Sequence, residues 1–155
     1  MKRFFLLSPI VFLSVCILAS FNTVPLPVAG GGITVIVNKE NPVASLTASE
    51  VKLYFLRKLK GRWPELNKNI RPADRKNKCS ERDAFYTTVL GMDDAAVEEY
   101  FTTRQEKYGE HAPEKFVSDE EMINFVSEEL GGIGYVGKLS AKEKEKVKVI
   151  LIVGN

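Results

Sequence analysis

Hydrophobic residues follow two rhythms along the chain, one suited to strands and one to helices. "ITVIV" (33–37) is an unbroken β-branched run, and the turn chemistry of "NKENPVAS" follows it, so it reads as a short buried strand. In "LTASEVKLYFLRKL", Val51, Tyr54, Phe55 and Leu59 recur on one helical face, Thr47 and Glu50 have capping-box spacing, and Gly61 marks the stop. "IRPAD" is a short strand in which Pro72 argues for an edge or a strand end. A second helix begins at Cys79 or Ser80, with Ser80 and Asp83 again at capping-box spacing. Ala84, Phe85, Val89 and Leu90 form its apolar side and Gly91 ends it. "DDAAVEEYFTTRQEKYG" is a third helix with Val97, Tyr100 and Phe101 inward. "SDEEMINFVSEELGG" is the clearest helix: Ser118 caps it, Glu121 completes the box, and Met122, Phe125, Val126 and Leu130 make the stripe. "IGYV" and "VKVILIV" are strands on either side of a Lys-rich turn.

The predicted order is β, α, β, α, α, α, β, β. Strands interleaved with helices define an α/β fold, a central mixed sheet with helices on both faces. Residues 30–155 are long enough for one domain with a real core. There is no internal repeat and no low-complexity tract beyond the triple glycine at 30–32.

Residues 1–29 have a different character. Lys2 and Arg3 precede "FFLLSPIVFLSVCILAS", and no charge follows until Lys39. A basic start, an apolar stretch and small residues beyond it read as a secretory signal, cleaved after Ala19, Ser20 or Ala29. The alternative is an uncleaved anchor, which Pro9, Pro25, Pro27 and the polar Ser8, Ser14 and Asn22 argue against. Val15 before Cys16 is the wrong residue for a lipoprotein signal. The expected location is periplasmic or otherwise extracytoplasmic.

Without Lys2 and Arg3 the chain has 20 basic and 20 acidic side chains, but they are segregated. Arg57 to Arg82 holds ten Lys/Arg against three Asp/Glu, and Asp93 to Glu129 holds twelve Asp/Glu against three Lys/Arg. Such a dipolar surface is not that of a nucleic-acid binder. Cys79 is the only cysteine beyond the leader, so the exported domain has no internal disulfide. One histidine, His111, and one cysteine cannot build the usual Cys/His zinc site, and no local pattern supports a Cys79–His111 catalytic pair. No metal, cofactor or catalysis is expected.

The remaining candidate chemistry lies in "RPADRKNKCSERDAFYTTVLG". Cations gathered before a helix start suit a small anion, with Arg75 offering a planar fork and Ser80 a hydroxyl. The plainer reading is a solvated loop ahead of a capped surface helix. The glycines of "GGIGYV" are read first as close packing of helix on sheet, and second as a ligand approach.

Three segments in this order also resemble a known family. "ITVIVNKENPVASLTASEVKLYFLRKLKGRWPEL", "IRPADRKNKCSERDAFYTTVLG" and "EELGGIGYV" are similar to the strand–helix–Trp, strand–Arg–Ser–helix and Gly-rich strand elements of phosphate-type periplasmic substrate-binding proteins. They span most of Ile33 to Val136. The resemblance implies one lobe of a type 2 periplasmic-binding-protein fold that binds an oxyanion, phosphate or sulfate, and passes it to an ABC transporter permease. Arg75 matches the family's anion-gripping arginine. Cys79 falls at the helix-start serine, and Ser80 and Glu81 replace the small and hydroxyl residues that follow it. A thiol is a weaker donor than a hydroxyl, and Glu81 brings negative charge to the position. Full members have two lobes around the ligand, and a homodimer is one way for a single lobe to rebuild the cleft. The alternative function is a non-catalytic adaptor or sensory module that contacts another envelope protein.

Overall fold

The computed structural model describes residues 32–59 and 61–154. The leader, its cleavage points, Cys16 and the first two linker glycines lie outside the described residues. Among the described residues no helix is long and apolar enough to cross a membrane.

Five strands form one mixed sheet: β1 (Ile33–Asn38), β2 (Arg71–Arg75), β3 (Glu114–Phe116), β4 (Gly132–Val136) and β5 (Val147–Val153), in the spatial order β3-β2-β4-β1-β5. β2 runs parallel to β3 and β4, and β1 runs antiparallel to β4 and β5. The parallel pairs need long crossovers, which the helices supply. α1 (Ala48–Phe55) precedes β2. α2 (Ser80–Phe85), a π-helical turn at Tyr86–Leu90 and α3 (Asp94–Tyr108) join β2 to β3. α4 (Asp119–Glu128) joins β3 to β4, and the short α5 (Ala141–Lys144) precedes β5.

The sheet is apolar on both faces because successive side chains of β1 and β4 alternate sides. Val35, Val37, Ile133 and Tyr135 pack against Val51 and Phe55 of α1, Phe85 of α2, and Val97 and Phe101 of α3. Ile36, Ala73 and Val136 point the other way, onto Met122, Ile123 and Val126 of α4. The helices therefore cover both faces, as the hydrophobic pattern predicts. Gly134 lets α4 approach: a Cβ there would sit 2.9 Å from the Met122 side chain and 3.2 Å from Val126. The packing reading of "GGIGYV" holds for Gly132 and Gly134, which face α4, whereas Gly131 meets the Asn69 carbonyl.

Several details differ from expectation. α1 stops at Phe55 instead of running to Gly61. Arg57 takes the left-handed conformation (φ 55°), and the Lys58 N–H closes on Leu53 O at 2.9 Å. Leu59 consequently leaves the apolar face and is 45% exposed. Cys79, not Ser80, is the N-cap of α2, with no side-chain capping bond, so the Ser80/Asp83 box does not form. Ser118 caps α4 as expected, but the Glu121 carboxylate accepts from the Val117 N–H instead of closing the box on Ser118. The capping box of Thr47 and Glu50 is present. β3 and α5 were not predicted.

Candidate functional site

β2 feeds α2 on one face of the sheet, whereas its parallel neighbour β3 feeds α4 on the other. Chain connections that diverge to opposite faces open a crevice at the carboxyl ends of the strands, which is where ligands of open α/β sheets bind. An open depression of about 390 Å³ lies at that end, lined by Gly32, Ser80, Glu81, Asp119, Gly137 and Lys138. Ser80 and Glu81 open α2, Asp119 opens α4, and Gly137 and Lys138 follow β4.

Two of the four sequence-predicted site residues, Ser80 and Glu81, line this depression. Arg75 is the last residue of β2, and only 7% of it is exposed. It does not line the depression. Its guanidinium pairs with the Asp119 carboxylate, and its Nε has no hydrogen-bond partner. Ser80 donates its hydroxyl to Glu81 Oε2 at 3.1 Å. Glu81 is held below the usual carboxylate range, chiefly by its own backbone N–H against the cost of burial, with Cys79, Ser80 and the charge of Arg75 adding to the effect. A carboxylate of the protein thus occupies donors that an external anion would use.

Cys79 is a half-buried free thiol. Burial pushes its pKa up, which keeps it protonated and a poor nucleophile. His111 is exposed in the loop before β3. Among the described residues no three His, Cys, Asp or Glu side chains converge to hold a metal.

Asp119, Gly137 and Lys138 were not singled out from the sequence. Asp119 is raised above the usual carboxylate range. Burial is the main cause, opposed by Arg75 and by the Gly137 N–H at 3.4 Å, and the charges of Glu81 and Glu143 push in the same direction as burial. The sequence signal for Asp119 was its place in the first turn of α4, where an acid looks like helix-dipole chemistry alone.

Beneath the site lies a second polar group. Asp74 is buried in β2 and accepts hydroxyl hydrogen bonds from Tyr135 and Tyr86, each at 2.6 Å, and the Arg75 N–H at 2.8 Å. The Tyr135 ring stacks on Phe85 at 4.0 Å, so the bond network is anchored in the apolar core. This arrangement fixes the end of β2 and hence the backbone that carries Arg75.

No protein-family model and no curated protein sequence matches the chain. Solved structures do. An ABC-type phosphate transport receptor from Vibrio cholerae aligns over 80% of this chain and 47% of its own length, with a TM-score of 0.58 and 18% identity. A putative phosphate ABC transporter substrate-binding protein with bound phosphate, from Clostridium perfringens, aligns over 81% of this chain and 46% of its own (TM-score 0.56, 23% identity). PstS from Borrelia burgdorferi gives 77% and 46% (TM-score 0.56, 18% identity). The fold is therefore that of phosphate-type substrate-binding proteins, and the chain spans about half the length of these neighbours.

Proposed function

We propose that the chain is an exported solute-binding lobe that recognises a small oxyanion, phosphate ahead of sulfate, at the carboxyl ends of β2 and β4. The observation that carries this reading is the position of Arg75 and Ser80. Ser80 opens a helix at the depression and Arg75 ends the strand behind it, in a fold shared with phosphate receptors. Lys138 and the Ser80 hydroxyl add donors at the surface of the same depression.

The carboxylates of Glu81 and Asp119 favour phosphate over sulfate. An ionised carboxylate only accepts hydrogen bonds, so it repels a fully deprotonated oxyanion and accepts from one that keeps a proton. Phosphate keeps one near neutral pH and sulfate does not. For Arg75 to reach the anion, Asp119 must share it or yield it. The Vibrio and Clostridium neighbours are named as ABC phosphate transport proteins, which supports delivery to an ABC permease as the role.

The Arg75–Asp119 pair favours a second reading, a non-catalytic adaptor in which the inherited site is closed by the protein's own carboxylates. Calorimetric titration of the exported protein with phosphate and then sulfate separates the two. Micromolar phosphate binding that Arg75→Ala abolishes, with the fold intact by circular dichroism, is the expected result. No heat at millimolar anion favours the adaptor. Sedimentation in the same buffer tests whether a homodimer supplies the second wall.

A further inference from the structure

The charge pattern of the depression is more specific than that of an oxyanion site. The residues lining it offer two donors, the Ser80 hydroxyl and the Lys138 ammonium, and two acceptors, the Glu81 and Asp119 carboxylates. The acceptors converge on one spot. A Cβ built on Gly137 would stand 3.4 Å from Glu81 Oε1 and 3.8 Å from Asp119 Oδ2, so both carboxylates border the face of the glycine that carries no side chain. Arg75, buried and with its Nε unpartnered, reinforces the cationic side from behind Asp119.

We infer that the ligand is a zwitterion: a phosphate or phosphonate group joined by a short linker to a primary ammonium. This rests on the oxyanion reading of the same site. The ammonium lies over Gly137 between Glu81 and Asp119, and the phosphoryl oxygens take the Ser80 hydroxyl and Lys138. Each half of such a ligand meets the opposite charge, whereas bare phosphate near neutral pH has a single proton to offer two carboxylates. An ammonium on the ligand also removes the conflict between Glu81 and an anion site. Glu81 then releases the Ser80 hydroxyl to the phosphoryl group and takes the ligand's ammonium in its place.

The test is calorimetric titration of the exported full-chain protein with 2-aminoethyl phosphate, ethyl phosphate and inorganic phosphate. Ethyl phosphate carries the same anion without the amine. The expected result is at least tenfold tighter binding of 2-aminoethyl phosphate than of ethyl phosphate, with the ratio falling towards one in Glu81→Gln. Gly137→Ala puts a methyl between the backbone and the proposed ammonium, at ordinary contact distances from the rest of the protein, so it should keep the fold and lose the preference. Binding to phosphatidylethanolamine vesicles but to no free compound would assign the same headgroup chemistry to a lipid source. Equal affinity for 2-aminoethyl and ethyl phosphate overturns the inference and leaves the oxyanion reading standing, as does a preference that survives both variants. If no phosphate compound or vesicle binds, both readings fall.

Discussion

Arg75 is paired with Asp119 across the gap between the end of β2 and the start of α4, so the cation behind the candidate site already has a partner. The pair is asymmetric: the arginine side chain is 9% exposed and the aspartate 32%. Removing the negative partner leaves a buried guanidinium short of a counter-charge. A fully buried pair would lose about 3–5 kcal/mol in this way. Solvent reaches the Asp119 side, so Asp119→Asn should cost about 1–3 kcal/mol. The uncovered guanidinium should then recruit an external anion. Phosphate is expected to raise the melting temperature of the variant more than that of the wild type, by mass action. Equal shifts in thermal denaturation would show that Arg75 takes no anion once released.

The hydroxyls of Tyr86 and Tyr135 are both held by Asp74, and both tyrosines have pKa values pushed upward, first by burial and then by the Asp74 charge. The stability that follows from a raised pKa is complete below the unfolded tyrosine value, ~10, and is lost as pH rises through the folded values. Above about pH 10 each buried tyrosine should therefore lower stability by up to about 1.4 kcal/mol per pH unit. Urea unfolding midpoints measured on either side of that pH should fall steeply for wild type and less steeply for Tyr86→Phe. At neutral pH the same variant should lose about 1–3 kcal/mol, because Asp74 loses a donor in a buried setting. An unchanged alkaline slope would remove Tyr86 from this role.

At the end of α1, Arg57 sits where a left-handed residue closes the helix, a place usually filled by glycine. A side chain in that conformation costs roughly 1–2 kcal/mol. Glycine relieves the strain but is freer in the unfolded chain, so the net gain for Arg57→Gly should be about 0.5–1 kcal/mol. Denaturant unfolding would show it as a higher midpoint with an unchanged slope. A lower midpoint would mean that the arginine side chain contributes more than its backbone strain costs.

The hydrophobic rhythm of the sequence carries most of the architecture, because long amphipathic helices and β-branched runs declare themselves locally. Val51, Phe85, Val97 and Val126 are all buried on the helical faces the spacing predicts. β3 is three residues, "EKF", with two of them exposed, and its existence depends on pairing with β2, which no local pattern encodes. Leu59 was misread because Arg57 ends the helix in a conformation that glycine would have signalled. The site divides in the same way. Arg75, Cys79, Ser80 and Glu81 are close in sequence and could be read together. Asp119, Gly137 and Lys138 join them only through the crossover of α4 and the parallel pairing of β2 with β4.

Two glycines, one just before β4 and one within it, should respond differently to the same substitution. At Gly134 an added Cβ meets Met122 Cγ and Sδ at 2.9 Å, and methionine can move along several rotatable bonds. Overpacking there should cost about 1–3 kcal/mol. At Gly131 an added Cβ would stand 1.9 Å from the Asn69 carbonyl oxygen, part of the backbone that leads into β2. The Gly131 carbonyl also accepts the Arg71 N–H at 2.9 Å and the Trp63 indole N–H at 3.0 Å. Relief of the clash must therefore shift the start of β2 or break these bonds, and Arg75 lies at the other end of that strand. Gly131→Ala is expected to destabilise more than Gly134→Ala and to weaken any ligand binding at the Arg75 end, whereas Gly134→Ala lowers stability alone. Parallel unfolding and titration of the two variants checks this. Equal losses in both would mean that the backbone at Asn69 yields as easily as the methionine side chain.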